Sequence, residues 1–166
     1  MPFVNSSMIG VDLNNQSTTE LFALGTHVLG TDGSEWAYVH ASTSVSANTF
    51  VAIRTGSFTC GMASGGDVIS GAQLALAQTA ISAQAFGWVA VRGIGLTAWC
   101  TESATAPTTI GVFLATQSSR TGVITVQGSG SGTLAGVGIT EASSSTATGA
   151  LITVNLTWPR TATQVG

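Results

Sequence analysis

Between Ala150 and Trp158 the chain alternates without a fault: Ile152, Val154, Leu156 and Trp158 take every second position, with Leu151, Thr153, Asn155 and Thr157 between them. Side chains of an extended chain point to opposite faces in turn, so this period specifies a half-buried β-strand, with the four even positions facing the interior. Pro159 has no N–H to give a ladder, and the strand is expected to stop there or to continue only as an edge. Phe50 to Phe58, Phe86 to Arg92, Leu96 to Thr101, Ile110 to Gln117, Gly122 to Gln127 and Leu134 to Thr140 follow the same idiom, each bounded by Gly, Ser, Thr or Pro. Short β-branched and aromatic runs at this spacing predict an all-β fold, a sandwich or barrel of short antiparallel strands. Ala72 to Ala85 has helix-forming composition, but Leu74 and Leu76 alternate with Gln73 and Ala75, so strand followed by turn is preferred over a short helix.

A length of 166 residues suits one domain with a single core. Residues 1–20, with the polar run Asn14 to Thr19, lack a core pattern and read as an extended N-terminal arm ordered by a neighbour; residues 21–166 read as the β domain. Gly128 to Gly132 and Ser143 to Thr146 have linker composition but are followed at once by apolar segments, so turns or surface loops are expected there.

Thr26 to Gly30 and Glu35 to Ala41 flank Thr31-Asp32-Gly33-Ser34, and Asp-Gly favours a two-residue type I′ hairpin turn. Centring the turn on Asp32 and Gly33 pairs Leu29 with Trp36 and His27 with Tyr38, all four on one face that is core or interface.

The residues exclude more chemistry than they suggest. With no lysine anywhere, no P-loop can be built. Gly130 to Ala135 matches G-x-G-x-x-A, but no acid lies about twenty residues further on and no long helix is expected to follow. No G-x-S-x-G nucleophile elbow occurs. His27 and His40 are expected near opposite edges of the hairpin, Asp32 is a turn residue, and Cys60 and Cys100 read as small buried hydrophobes rather than half of a zinc site. No catalytic group, metal or cofactor is expected.

The surface that remains is unusual. Eleven residues of 166 carry a charge, against 44 serines and threonines and 21 glycines. A freely diffusing domain charges about a quarter of its residues. A chain that omits charge repulsion is suited to packing against neighbours. Four arginines make no basic stripe, so nucleic acid is not an expected partner. Met1 to Gly10 lacks a signal-peptide pattern, and Val68 to Val91 is too rich in glutamine and hydroxyls for a membrane span.

Leu24-Gly25-Thr26 leading through Asp32-Gly33-Ser34-Glu35-Trp36-Ala37-Tyr38-Val39, then Ala80 to Gly93 with Phe86-Gly87-Trp88-Val89, then Gly136 to Ile139 and Ala150 to Arg160, together resemble the head decoration, or cement, proteins of tailed bacteriophages. Gln84-Ala85 departs from that pattern, in which a glycine precedes the aromatic-Gly-Trp step. The resemblance implies a structural virion protein on the outer capsid surface that bridges capsomers and performs no chemistry. Its implied partners are the major capsid protein and copies of itself, a trimer being favoured. His27, Trp36, Tyr38, Trp88, Arg92, Trp99 and Arg160 are then the candidate interface residues. The alternative is a receptor- or carbohydrate-binding β module of a phage tail or adhesin, with an exposed tryptophan as sugar platform.

Overall fold

The computed structural model describes residues 11–54, 56–64, 72–100, 114–116, 124–126, 134–141 and 150–162; for Cys100 and the later strands, apart from residues 151–156, it describes the backbone alone. In chain order the strands are β1 (His27–Leu29), β2 (Glu35–Ala41), β3 (Thr49–Arg54), β4 (Thr59–Met62), β5 (Gln73–Ala77), β6 (Phe86–Cys100), β7 (Leu114–Thr116), β8 (Ile124–Val126), β9 (Leu134–Glu141) and β10 (Ala150–Ala162). The chain is all-β and forms one domain, and no helix occurs among the described residues.

The hydrogen-bonded order β2-β4-β3-β5 is completed by β5–β6 and β2–β6 pairings, closing a five-stranded barrel. A second circuit, β6-β8-β7-β9-β10, returns to β6, so β6 and β10 belong to both. Two pairings are parallel, β2 with β4 and β6 with β8, where only antiparallel neighbours were expected.

Closure gives the barrel strands two buried faces. Ala37, Val39 and Ala41 of β2, Cys60 of β4, Val51 and Ile53 of β3, Ala75 and Ala77 of β5, and Val89 and Val91 of β6 form one cluster. It draws on every strand of the ring and is therefore the lumen. Its side chains are small because a ring of five strands is narrower than the eight needed to hold larger groups. Val45 and Ile81, whose backbones pair, cap one end. Gly87 faces that plug: a Cβ there would meet Ile81 Cδ1 at 2.8 Å, so the glycine makes room for the cap.

The alternate residues form a second cluster outside the barrel wall: Trp36 and Tyr38, Phe50 and Ala52, Leu74 and Leu76, Trp88 and Ala90. β10 covers them with Ile152, Val154 and Leu156, which are buried as their alternation requires; the side chain of Trp158 lies outside the described residues. The N-terminal segment contributes Val11, Leu13, Phe22 and Leu24 to the same cluster. Ser17 pairs with Phe86, and the Gln16 side-chain oxygen accepts from the Ser82 N–H at 2.6 Å. The arm read over residues 1–20 is thus, over 11–20, a wall of the domain; residues 1–10 lie outside the described residues. Two apolar positions in a polar run were too few to register as a core pattern.

Three further expectations need correction. Phe86 to Arg92 and Leu96 to Cys100 belong to one strand, β6, which stays continuous through Gly93-Ile94-Gly95 by a bulge, while Thr101, the expected end of the second run, lies outside the described residues. Gly95 sits at φ +73°, and its N–H is taken by Asn155 Oδ1 at 3.1 Å. β10 continues past Pro159: Thr157 pairs with Arg92 of β6 and Arg160 with Gln73 of β5, and the proline lies between, at the changeover where no N–H is required. Phe50 to Phe58 is β3 with a following turn that leads into β4, a strand the reading missed. The linker-like runs 128–132 and 143–146 lie outside the described residues.

Candidate functional site

The β1–β2 hairpin carries most of the titratable groups that sequence reading weighed, and its register differs from the expected one. His27 faces Ala37, Val28 faces Trp36 and Leu29 faces Glu35. The Gly33 N–H donates to the Gly30 carbonyl and the Gly30 N–H to that of Ser34, with positive φ at Gly33 but not at Asp32. This is a three-residue loop with a glycine bulge, not a two-residue type I′ turn. One extra residue shifts the pairing by one and reverses the faces, so Val28 is buried while His27 and Leu29 are exposed.

Asp32 is what selects the longer loop. Its Oδ1 accepts from the Ser34 N–H at 2.9 Å and from the Ser34 hydroxyl at 2.5 Å. The same hydroxyl oxygen accepts from the Trp36 indole N–H at 2.9 Å, which gives a core tryptophan its partner. Ser34 is fully buried, so a relay of hydrogen bonds runs from the surface turn into the outer cluster.

His27 Nδ1 lies 2.9 Å from Glu35 Oε1, an ion pair when the ring is protonated. His40, further along β2, tilts against Phe86 at 4.8 Å between centroids. Tyr38 packs on Trp88 at 5.0 Å and edge-on to Phe22 at 5.3 Å, and its hydroxyl accepts from the Leu21 N–H at 3.2 Å. Trp36, Tyr38 and Trp88 are therefore enclosed by the chain itself, which removes them from the candidate interface. His27, Arg92 and Trp99 are exposed; the side chain of Arg160 lies outside the described residues. No group of three His, Cys, Asp or Glu able to hold a metal occurs among the described residues. Cys60 is a free thiol in the lumen, and burial pushes it from 9.0 up to about 12.

Exposed apolar side chains mark the remaining surface. Trp99 of β6 stands directly opposite Leu151 of β10, at 39 % and 43 % exposure. Thr97 and Thr153 form the adjacent opposed pair two residues along, on the same face. Ile94, at 75 %, stands out on the β6 bulge, and Leu29, at 72 %, lies on β1 across from Glu35. Sequence reading missed Leu151 and Ile94, and it placed Leu29 on a core or interface face opposite Trp36, whereas the register sets it opposite Glu35. The signals were there: Leu151 is an apolar residue at an outward position of the alternating strand, and Ile94 is held between two glycines.

No protein-family model matches the chain, and no curated protein matches it either.

Proposed function

We propose that this chain is a structural protein of a tailed-phage virion, docking on the outer capsid surface through the Trp99–Leu151 face of the β6–β10 pair and acting by bridging capsomers rather than by catalysis. The observation that carries the reading is an exposed cross-strand Trp–Leu pair, flanked by threonines, on a chain with eleven charges and no lysine. An interface of this kind gains from apolar burial and main-chain bonding, and tryptophan is enriched where interfaces concentrate their binding energy. Bridging multiplies each contact by effective concentration once the first is made. Self-association into trimers belongs to the same reading.

The test is sedimentation with tailed-phage heads. The chain is expected in the particle fraction, and its attachment is expected to persist as salt rises from about 0.05 to 1 M, because screening acts on exposed ion pairs. Replacing Trp99 and Leu151 by serine is expected to leave the chain folded and move it to the supernatant. Release by salt alone, or a native chain that never enters the particle fraction, overturns the reading. Exposure of Trp99 also favours a carbohydrate-binding module, and binding on a glycan array would decide for that alternative.

A further inference from the structure

Asp32-Gly33 is the only Asp-Gly step in the chain, and no Asn-Gly step occurs. Glycine leaves the amide nitrogen after an aspartate unshielded, and in such a step that nitrogen can attack the aspartate's own side-chain carboxyl carbon. The N–Cγ bond forms, the C–OH bond of the protonated carboxyl group breaks, its hydroxyl leaves with the amide proton as water, and a succinimide ring results. Water then adds to the former main-chain carbonyl of the aspartate and breaks its bond to nitrogen. The product is isoaspartate, with unchanged mass and one extra carbon in the backbone.

Asp32 and Gly33 are both exposed, so water is at hand, yet both reacting groups are held. The Gly33 N–H donates to the Gly30 carbonyl at 3.1 Å, which keeps the nitrogen's proton in place. Asp32 Oδ1 is drawn onward to Ser34, past Gly33, by two hydrogen bonds. Ser34 in turn is fixed by burial and by the Trp36 indole. We propose that Asp32-Gly33 is the site of spontaneous backbone isomerisation in this protein, and that Ser34 holds the reaction in check by tethering the Asp32 carboxylate to the core. The consequence is specific to a hairpin: an added backbone carbon would lengthen the loop whose length sets the β1–β2 register.

The experiment incubates the chain at neutral pH and body temperature and separates aspartyl from isoaspartyl forms of the peptide containing residues 31–34 by chromatography and fragmentation mass spectrometry. The folded native chain is expected to convert far more slowly than the same chain in urea. Ser34→Ala is expected to convert about fivefold faster than native, the factor by which losing one hydrogen bond raises the open population. Val154→Ala, a core change whose side chain makes no part of the turn, should lower stability yet convert at the native rate. Equal rates for folded and denatured native chain would overturn the proposal and need no variant to fold. So would a Ser34→Ala rate equal to native, or equal acceleration in Ser34→Ala and Val154→Ala, which would assign the effect to global unfolding.

Discussion

Ser34 does the most for its size. Its hydroxyl is at once the acceptor for the buried Trp36 indole and a donor to Asp32. Ser34→Ala is expected to leave the indole N–H unpaired in the core, at a cost of about 1–3 kcal/mol, read as a fall in the denaturant midpoint. Cys60 makes a prediction of another kind. Its folded thiol keeps the proton up to about pH 12, whereas the unfolded thiol ionises near 9.0. The stability this difference contributes is complete below the unfolded value and lost as pH rises toward the folded one, because the unfolded state then binds fewer protons. Cys60→Ala should flatten the decline in stability between about pH 8 and pH 11, measured by chemical denaturation across that range. At this scale the sequence was only half readable. Asp-Gly announced a hairpin, but the choice between two and three loop residues depended on Asp32 Oδ1 finding Ser34, a contact that composition does not encode.

Among the elements, β10 was the most legible and β6 the least. Ile152, Val154 and Leu156 alternate because one face of β10 covers the barrel, and that demand appears directly as period two. β6 reads as two strands because Gly93 and Gly95 look like punctuation, whereas the second glycine serves a bulge inside a continuous ladder. Gly95→Ala tests that role. Nothing lies within 4 Å of the added Cβ, so the penalty is conformational alone, at φ +73°. The expected cost is about 1 kcal/mol in thermal or chemical unfolding. β4 was missed because its four residues, Thr59-Cys60-Gly61-Met62, place inward a cysteine and a methionine too few to show a period.

For the whole molecule, closure was the part that no local pattern announced. β2 meets β6 and β6 meets β10 across long stretches of sequence, and these pairings decide which strands are buried on both faces. The N-terminal segment shows the same effect, since Val11 and Leu13 become meaningful only once a barrel wall exists for them to cover. Removing residues 1–20 takes the buried Val11 and Leu13 with it, each side chain worth about 1.5–3 kcal/mol, and is expected to lower the unfolding temperature by many degrees. Leu13→Ala in the full chain is expected to reproduce part of that fall, read from the same melting curves.

Because β10 covers a cluster whose other described members all precede residue 101, the order of translation imposes an interval on the newborn chain. By the time β6 has left the ribosome, the ring of β2 to β6 can close, but its outer apolar face lacks the cover of β10 until residues 150–156 emerge. At roughly 5–20 residues per second, translating 101–149 takes several seconds. For that time Trp36, Phe50, Leu74 and Leu76 lack the strand that will shield them. Neighbouring nascent chains on one message could exchange β10 during it, and a holdase chaperone has its clearest substrate there.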